Sequence, residues 1–301
     1  LKKIAVGGIG NIYLAEQRGA DEFRKIVAIK AIKKEALTNE ESVNLFTGEA
    51  KLVADLIHEN ILQVFQLGKI NDTFYIVMEY ADGIDLVDLL DTVRAKKLFI
   101  DTDMTTFIIS RIARALSYAH NAKNIYGDPQ NIVHRDVSPA NIMVTYGGVV
   151  KLADFGIAKA VNMSSPDELE FLMGKLSYMG PEQAQFQGTD GRSDIFSLGV
   201  VMYEMLTNQV LFDVESWEEL LDKHKTFSPL SIREINPAVP EGLETILNKC
   251  LQMEPINRYQ MAKDLVFELE AYMYSKGYGP TNEKLRSYLK GLYPANKFEG
   301  I

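Results

Sequence analysis

Cysteine is almost absent from this 301-residue chain: Cys250 stands alone. An internal disulfide and a cysteine-built zinc site are both excluded, and a reducing compartment is the simple reading. Cys250 falls in the helix-like run LETILNKCLQM, where a buried structural thiol is expected. Missing too is any apolar run long enough to span a bilayer, and the opening LKKIAVGGIG lacks the layout of a signal peptide. Basic charge is in deficit, since 32 Lys and Arg against 41 Asp and Glu leave a formal net charge of −9. A protein that grips nucleic acid through a broad basic face is not built this way, so no nucleic-acid partner is expected and a polyanionic ligand must be met locally. These absences place the domain in the cytoplasm as an expectation, with any membrane anchor of a longer protein lying outside this stretch.

What is present is ordinary globular material, 47% hydrophobic and 24% charged, ample for a large core. Up to about Met78 the runs NIYLAEQ, KIVAIKAI and TFYIVMEY read as strands, rich in β-branched and aromatic residues. One helix interrupts them, with Val43, Phe46, Ala50, Val53 and Leu56 at helical spacing. After EYADGIDL the texture changes, and TTFIISRIARALSYAH, SDIFSLGVVMYEMLT, WEELLDKH, LETILNKCL and MAKDLVFELEAYMYS all read as helices. Glu79 to Gly83 is the expected hinge between the two halves, and a cleft there is the natural ligand site. The boundaries expected are a β-rich unit over 1–82, a helical unit over 83–275 and a helical extension over 276–301, whose stripe suits a partner or regulatory contact.

The chemistry concentrates in a few stretches. In AVGGIGNIYLA the glycines Gly7, Gly8 and Gly10 let backbone N–H groups approach phosphates, and Lys30 of VAIK follows on the next strand to neutralise them. The same glycines would also serve a plain hairpin. Glu49 sits on the helix where it can pair with Lys30, although a solvated glutamate fits that position equally. Most informative is IVHRDVSPANIMV followed by VVKLADFGIAK, which brings Asp136, Asn141 and Asp154 into loops between aliphatic strands. Two carboxylates and a carboxamide in that setting suit a hard cation completed by phosphate oxygens.

These stretches, in this order, resemble a eukaryotic-like protein kinase of the bacterial serine/threonine type from Ile4 to about Ser275. AVGGIGNIY resembles the glycine-rich loop, VAIK the strand lysine, HRDVSPAN the catalytic loop and DFG the start of the activation segment. GPEQ is similar to the end of that segment, SDIFSLGVVMYEML to the helix signature with Asp194, and PINR supplies Arg258 as partner for Glu182. The resemblance implies an α+β fold of two lobes, a small β-rich N-lobe with one helix and a larger helical C-lobe. It implies ATP and Mg²⁺, or Mn²⁺ in its place, and protein substrates with serine or threonine acceptors. By the same resemblance Lys30 holds phosphates and Glu49 holds Lys30; Asp136 takes the proton of the attacking hydroxyl, while Asn141 and Asp154 bind the metal. Ala5, Gly7, Gly8 and Gly10 would cover the nucleotide, with Ile12, Ala28, Met78 and Met143 lining the adenine slot. Glu79 and Ala81 would offer backbone hydrogen bonds, and Asp85 a ribose contact. Plain core packing explains Met78 and Met143 as well.

The departures are specific. Ala5 replaces the loop's first glycine. Ser138 stands where serine/threonine kinases carry a lysine, and Lys175 stands where they carry a threonine. Either Lys175 supplies the displaced charge as a catalytic residue, or it is a solvated lysine. Arginine at Ser138 or Ala140 would mark a tyrosine kinase, and neither is there, so serine and threonine acceptors are expected. Arg135 before Asp136 implies an anionic partner in the activation segment. Phe155 to Gly180 holds no threonine, only Ser164, Ser165 and Ser177, and Glu168 or Glu170 is expected to stand in for a phosphate. The alternative to an active kinase is a pseudokinase, a nucleotide-binding scaffold.

Overall fold

The structure is a computed structural model, and it describes residues 1–7, 9–124, 126–155, 176–228, 231–275 and 277–298. The N-terminal sheet contains β1 (Lys2–Val6), β2 (Gly10–Arg18), β3 (Arg24–Ile32), β4 (Val64–Ile70) and β5 (Thr73–Glu79). All neighbours are antiparallel, in the spatial order β1-β2-β3-β5-β4. Side chains alternate across a strand, so Ala28, Lys30 and Ile32 of β3 share one face while Val27 and Ile29 take the other. Residues directly opposite one another across a ladder share a face, and the register pairs Ile12 with Lys30, Lys30 with Ile76, and Ala28 with Met78. One sheet face therefore presents Ile12, Ala28, Lys30 and Met78 together.

Helix α1 (Glu40–Val53) closes over part of that face, where Phe46 and Ala50 pack with Ile32 and Ile76. Asn39 starts the helix by accepting a hydrogen bond from the Ser42 N–H at 3.2 Å. The opposite sheet face has a small cluster of its own, Ala15, Val27 and Val77.

Past the connecting residues, β6 (Gly83–Asp85), β7 (Ile142–Thr145) and β8 (Val150–Leu152) make a second antiparallel sheet. The remaining described helices are α2 (Leu86–Ala95), α3 (Thr102–His120), α4 (Pro181–Ala184), α5 (Gly191–Thr207), α6 (Trp217–Thr226), α7 (Ile232–Ile235), α8 (Glu241–Cys250), α9 (Ala262–Tyr274) and α10 (Asn282–Leu292). Helix α5 is buried at every position from Ser193 to Thr207, which makes it the axis of the helical lobe. Cys250 is buried there too, its thiol pushed up to about 12 by burial. The expected two-lobed α+β architecture is the observed one.

A second tie joins the lobes besides the connection after β5. The Leu62 N–H donates to the Leu152 carbonyl at 2.9 Å, the Leu152 N–H to the Asn60 carbonyl at 2.8 Å, and the Asn60 side chain to the Val150 carbonyl at 2.8 Å. β8 is thus fixed against the segment that leads from α1 into β4.

Helix α10 packs on the helical lobe. Leu285 and Leu289, four residues apart and so on one side of the helix, are fully buried in the main core. The stripe expected to serve a partner is occupied within the chain. No described helix is long and apolar enough to cross a membrane.

Candidate active site

Lys30 projects from the shared face of β3 towards α1 and the loop after β8. Its Nζ lies 2.9 Å from Asp154 Oδ1 and 3.2 and 3.4 Å from the two oxygens of Glu49. Burial opposes its charge, but the Asp154 and Glu49 carboxylates outweigh burial and hold the ammonium well above the usual lysine range. The two carboxylates, from separate elements, fix the ammonium in place. An adjoining cavity is lined by Glu49, Val53, Val64, Met78, Asp154 and Phe155.

Below Lys30, the loop from Ile132 to Asn141 carries the polar groups. The Asn141 side chain donates to the Asp136 carbonyl at 2.7 Å, which fixes the carboxamide and leaves its oxygen as an acceptor. Asn141 and Asp154 sit just before β7 and just after β8, so the hairpin positions them both; the Ala153 N–H donates to the Asn141 carbonyl at 2.8 Å.

His134 is fully buried and organises the loop. Its Nδ1 accepts from the Asp136 N–H at 3.2 Å, so the proton belongs on Nε2, which donates to the Ala153 carbonyl at 3.1 Å. Burial keeps the ring neutral by lowering its pKa. Asp194 of α5 accepts the His134 N–H on Oδ2 at 2.8 Å and the Arg135 N–H on Oδ1 at 2.7 Å, and His120 Nε2 also lies 2.8 Å from Oδ2. Although burial would raise the Asp194 pKa, the hydrogen bond and charge of His120, with help from His134, hold it below the carboxylate range. Asp194 was legible in the helix signature; His120, 74 residues away in sequence, was not.

The remaining expected nucleotide positions, Gly8 aside, lie on β1, β2, β3, β5, β6 and β7 and on the connections between them. Gly7 N–H donates to the Gly10 carbonyl at 2.8 Å across the β1–β2 turn, and Ala5 pairs with Ile12. Gly10 is required: a Cβ there would stand 2.9 Å from the Ala31 carbonyl oxygen. Gly8 lies outside the described residues. Ala28 and Met78 are buried opposite one another, and Met143 of β7 pairs with Asp85. Glu79 is tied by a 2.8 Å ion pair to Lys151 of β8, and Ala81 follows in the connection. Asp85 also caps α2, accepting the Asp88 N–H at 2.9 Å. Among the described residues, the buried atoms Asn11 Oδ1, Arg135 Nε and Ser138 Oγ have no hydrogen-bond partner.

Lys175, Ser164, Ser165, Glu168 and Glu170 lie outside the described residues. After them, Glu182 and Arg258 form a buried bidentate pair at 2.7 and 2.8 Å, and Ser193 donates to Glu182 at 2.6 Å. Gln183 donates to the Arg135 carbonyl at 3.2 Å, joining this region to the catalytic-type loop.

The family described as protein kinase domain matches residues 1–267. A tyrosine-protein kinase, MasK of Myxococcus xanthus, is 37% identical over 298 residues, 99% of this chain and 46% of that protein. A probable serine/threonine-protein kinase of Clostridium perfringens is 37% identical over 270 residues, 90% of this chain and 37% of its own length. The serine/threonine-protein kinase PrkC of Bacillus subtilis is 33% identical over 270 residues, 90% of this chain and 39% of its own. The chain thus spans less than half the length of these relatives. Among solved structures, the kinase domain of Mycobacterium tuberculosis PknI superposes with a TM-score of 0.65 at 23% identity, covering 90% of this chain and 93% of that one, and so shares the fold.

Proposed function

Because this chain belongs to the protein kinase domain family, we propose that it transfers the γ-phosphoryl group of ATP to serine or threonine hydroxyls of protein substrates. The observation that carries the reading is the Lys30 ammonium held between Glu49 and Asp154, with Asn141 and Asp136 on the loop beneath. A Mg²⁺ ion suits the donors: Asn141 and Asp154 offer hard oxygens, and the described residues contain no group of three or more His, Cys, Asp or Glu that would form a cage without phosphate oxygens. Held there, the ion supplies charge neutralisation for the phosphates.

The chain's own residues do the rest. Lys30 binds phosphate oxygens and Glu49 fixes its direction. Ile12, Ala28, Met78 and Met143 exclude water from the adenine, Glu79 and Ala81 meet it through backbone groups, and Asp85 accepts from the ribose. Asp136 accepts the proton of the substrate hydroxyl while that oxygen bonds to the γ-phosphorus and the bond to the ADP oxygen breaks. Most of the rate then comes from positioning and electrostatics. Serine and threonine acceptors are favoured by the absence of arginine at Ser138 and Ala140 and by two of the relatives' names, with the Myxococcus relative naming the tyrosine alternative.

Labelled ATP with Mg²⁺ and a generic serine-rich protein, wild type beside Asp136→Asn, tests this. Phosphoserine or phosphothreonine that vanishes in the variant is the expected result; phosphotyrosine alone would overturn the acceptor assignment. A second reading, a nucleotide-binding scaffold without transfer, draws on Ser138, whose hydroxyl is buried without a partner among the described residues where serine/threonine kinases carry lysine. ATP binding with no transfer would favour it.

A further inference from the structure

The segment from Thr281 to Phe298 touches the helical lobe at three places, on elements that also carry the expected nucleotide residues Asp85 and Met143 or on the connections beside them. The first is the turn between β7 and β8. Gly148 sits there at φ +82°, and a Cβ on it would collide with the Asn282 carbonyl oxygen at the start of α10. The second is α2. The Tyr293 hydroxyl lies 3.2 Å from the Asp88 carbonyl and 3.0 Å from Thr92 Oγ1. The third is the connection between the lobes: Phe298 meets Tyr146 edge-on at 5.1 Å, and the Tyr146 N–H donates to the Asp82 carbonyl at 2.8 Å.

Asp88 links these contacts to the site. Its N–H donates to Asp85 Oδ1 at 2.9 Å, and its carbonyl receives Tyr293. The first turn of α2 is therefore held from one side by Asp85 and from the other by the C-terminal segment. Asp85 is itself paired through β6 with Met143 of β7, and β7 runs into the turn on which α10 rests.

We propose that residues 281–298 form a clasp on the floor of the nucleotide cleft, with Tyr293 as the positioning residue that fixes Asp85 for the ribose hydroxyls. The inference rests on the nucleotide reading above. It gives the C-terminal segment an inward role in ligand affinity: whatever loosens the clasp weakens recognition of the ribose and leaves the phosphoryl-transfer groups in place.

Isothermal titration calorimetry of the whole chain with MgATP and with its 2′,3′-dideoxy analogue tests the clasp, using the unchanged protein and Tyr293→Phe, which keeps the ring and its packing. The unchanged protein should prefer ATP over the dideoxy analogue. Tyr293→Phe should shrink that preference about two- to ten-fold, the range one hydroxyl hydrogen bond covers, with the affinity for the dideoxy analogue unchanged. Gly148→Ala, which pushes on α10 from the other contact, should act in the same direction. An equal preference in unchanged protein and Tyr293→Phe would overturn the proposal, as would a loss of affinity for both nucleotides alike. No ribose preference in the unchanged protein would overturn it by removing the Asp85 contact. No nucleotide binding at all would refute the kinase reading itself, and the clasp with it.

Discussion

His224 on α6 is buried, 5% exposed, and among the described residues neither ring nitrogen makes a hydrogen bond of ordinary geometry, the Met179 backbone being only a weak counterweight to burial. Its ring packs edge-on against Phe212 at 4.8 Å and Phe196 at 6.0 Å, with the Glu182 and Arg258 charges nearby partly cancelling each other. Burial is the largest influence, and it pushes the imidazole down to about 4 from its ordinary value of 6.5. A base depressed in the folded state takes up a proton more readily when unfolded, so its stabilising share is intact above pH 6.5 and is lost as pH falls towards 4. With one pKa unit equivalent to about 1.4 kcal/mol, this residue alone makes the fold about 2 kcal/mol less stable at pH 5 than at pH 7, and about 3 kcal/mol less at pH 4. His134 and His58 are depressed in the same direction, so the slope of the wild type is a sum. The difference between wild type and His224→Phe isolates the one residue. Urea unfolding of both at pH 7 and pH 5 should show the wild type losing about 2 kcal/mol more than the variant over that interval. Whatever the phenylalanine costs in packing is common to both pH values and cancels. Equal pH dependence within about 0.5 kcal/mol would refute the reasoning, because the buried neutral imidazole would then contribute nothing.

Arg258→Met leaves Glu182 buried without its bidentate partner and should cost about 3–5 kcal/mol, read as a lowered urea midpoint; adding Glu182→Gln should recover part of it, because the buried charge is then gone. Lys30→Met removes the cation between Glu49 and Asp154 and should lower transfer by about 10²-fold or more, with unfolding nearly unchanged; the paired measurement of rate and urea midpoint separates a lost phosphate contact from a damaged fold.

The strands that carry Lys30 were legible because β3 and β5 are dense in β-branched residues, and α1 because Phe46, Ala50 and Val53 repeat at helical spacing. Helix α2 was not read, although Leu86, Leu89, Leu90 and Val93 carry the same spacing and are all buried. It begins at Asp85, which was read for its ribose contact; the one side chain serves as helix cap as well, and a functional label concealed a structural signal. The contacts of Asp194 were illegible for a different reason. Periodicity reports which face of a helix is buried, and α5 is buried all round, so nothing in its pattern distinguishes the aspartate that receives the loop. The inward packing of α10 was hidden likewise: Leu285 and Leu289 announce a stripe but not its occupant.

The loop around Asp136 shows why such long-range contacts matter to the site. Arg135 has φ +64° and Asp154 φ +50°, both in the left-handed region that costs an L residue about 1–2 kcal/mol. Arg135 and His134 before it donate their N–H groups to Asp194, and hydrogen bonds to a charged group contribute about 1.5–3 kcal/mol each, enough to offset the strain at Arg135. On the other side, Lys30 grips the Asp154 carboxylate while His134 Nε2 holds the Ala153 carbonyl just before it. His134 therefore couples the two strained residues: one backbone bond fixes it to α5, one ring nitrogen fixes Asp136, and the other fixes the approach to Asp154. Strain at Arg135 and Asp154 is balanced by groups already in place before any ligand arrives, so the folding of the helical lobe, rather than nucleotide binding, sets the direction in which Asp136 is presented.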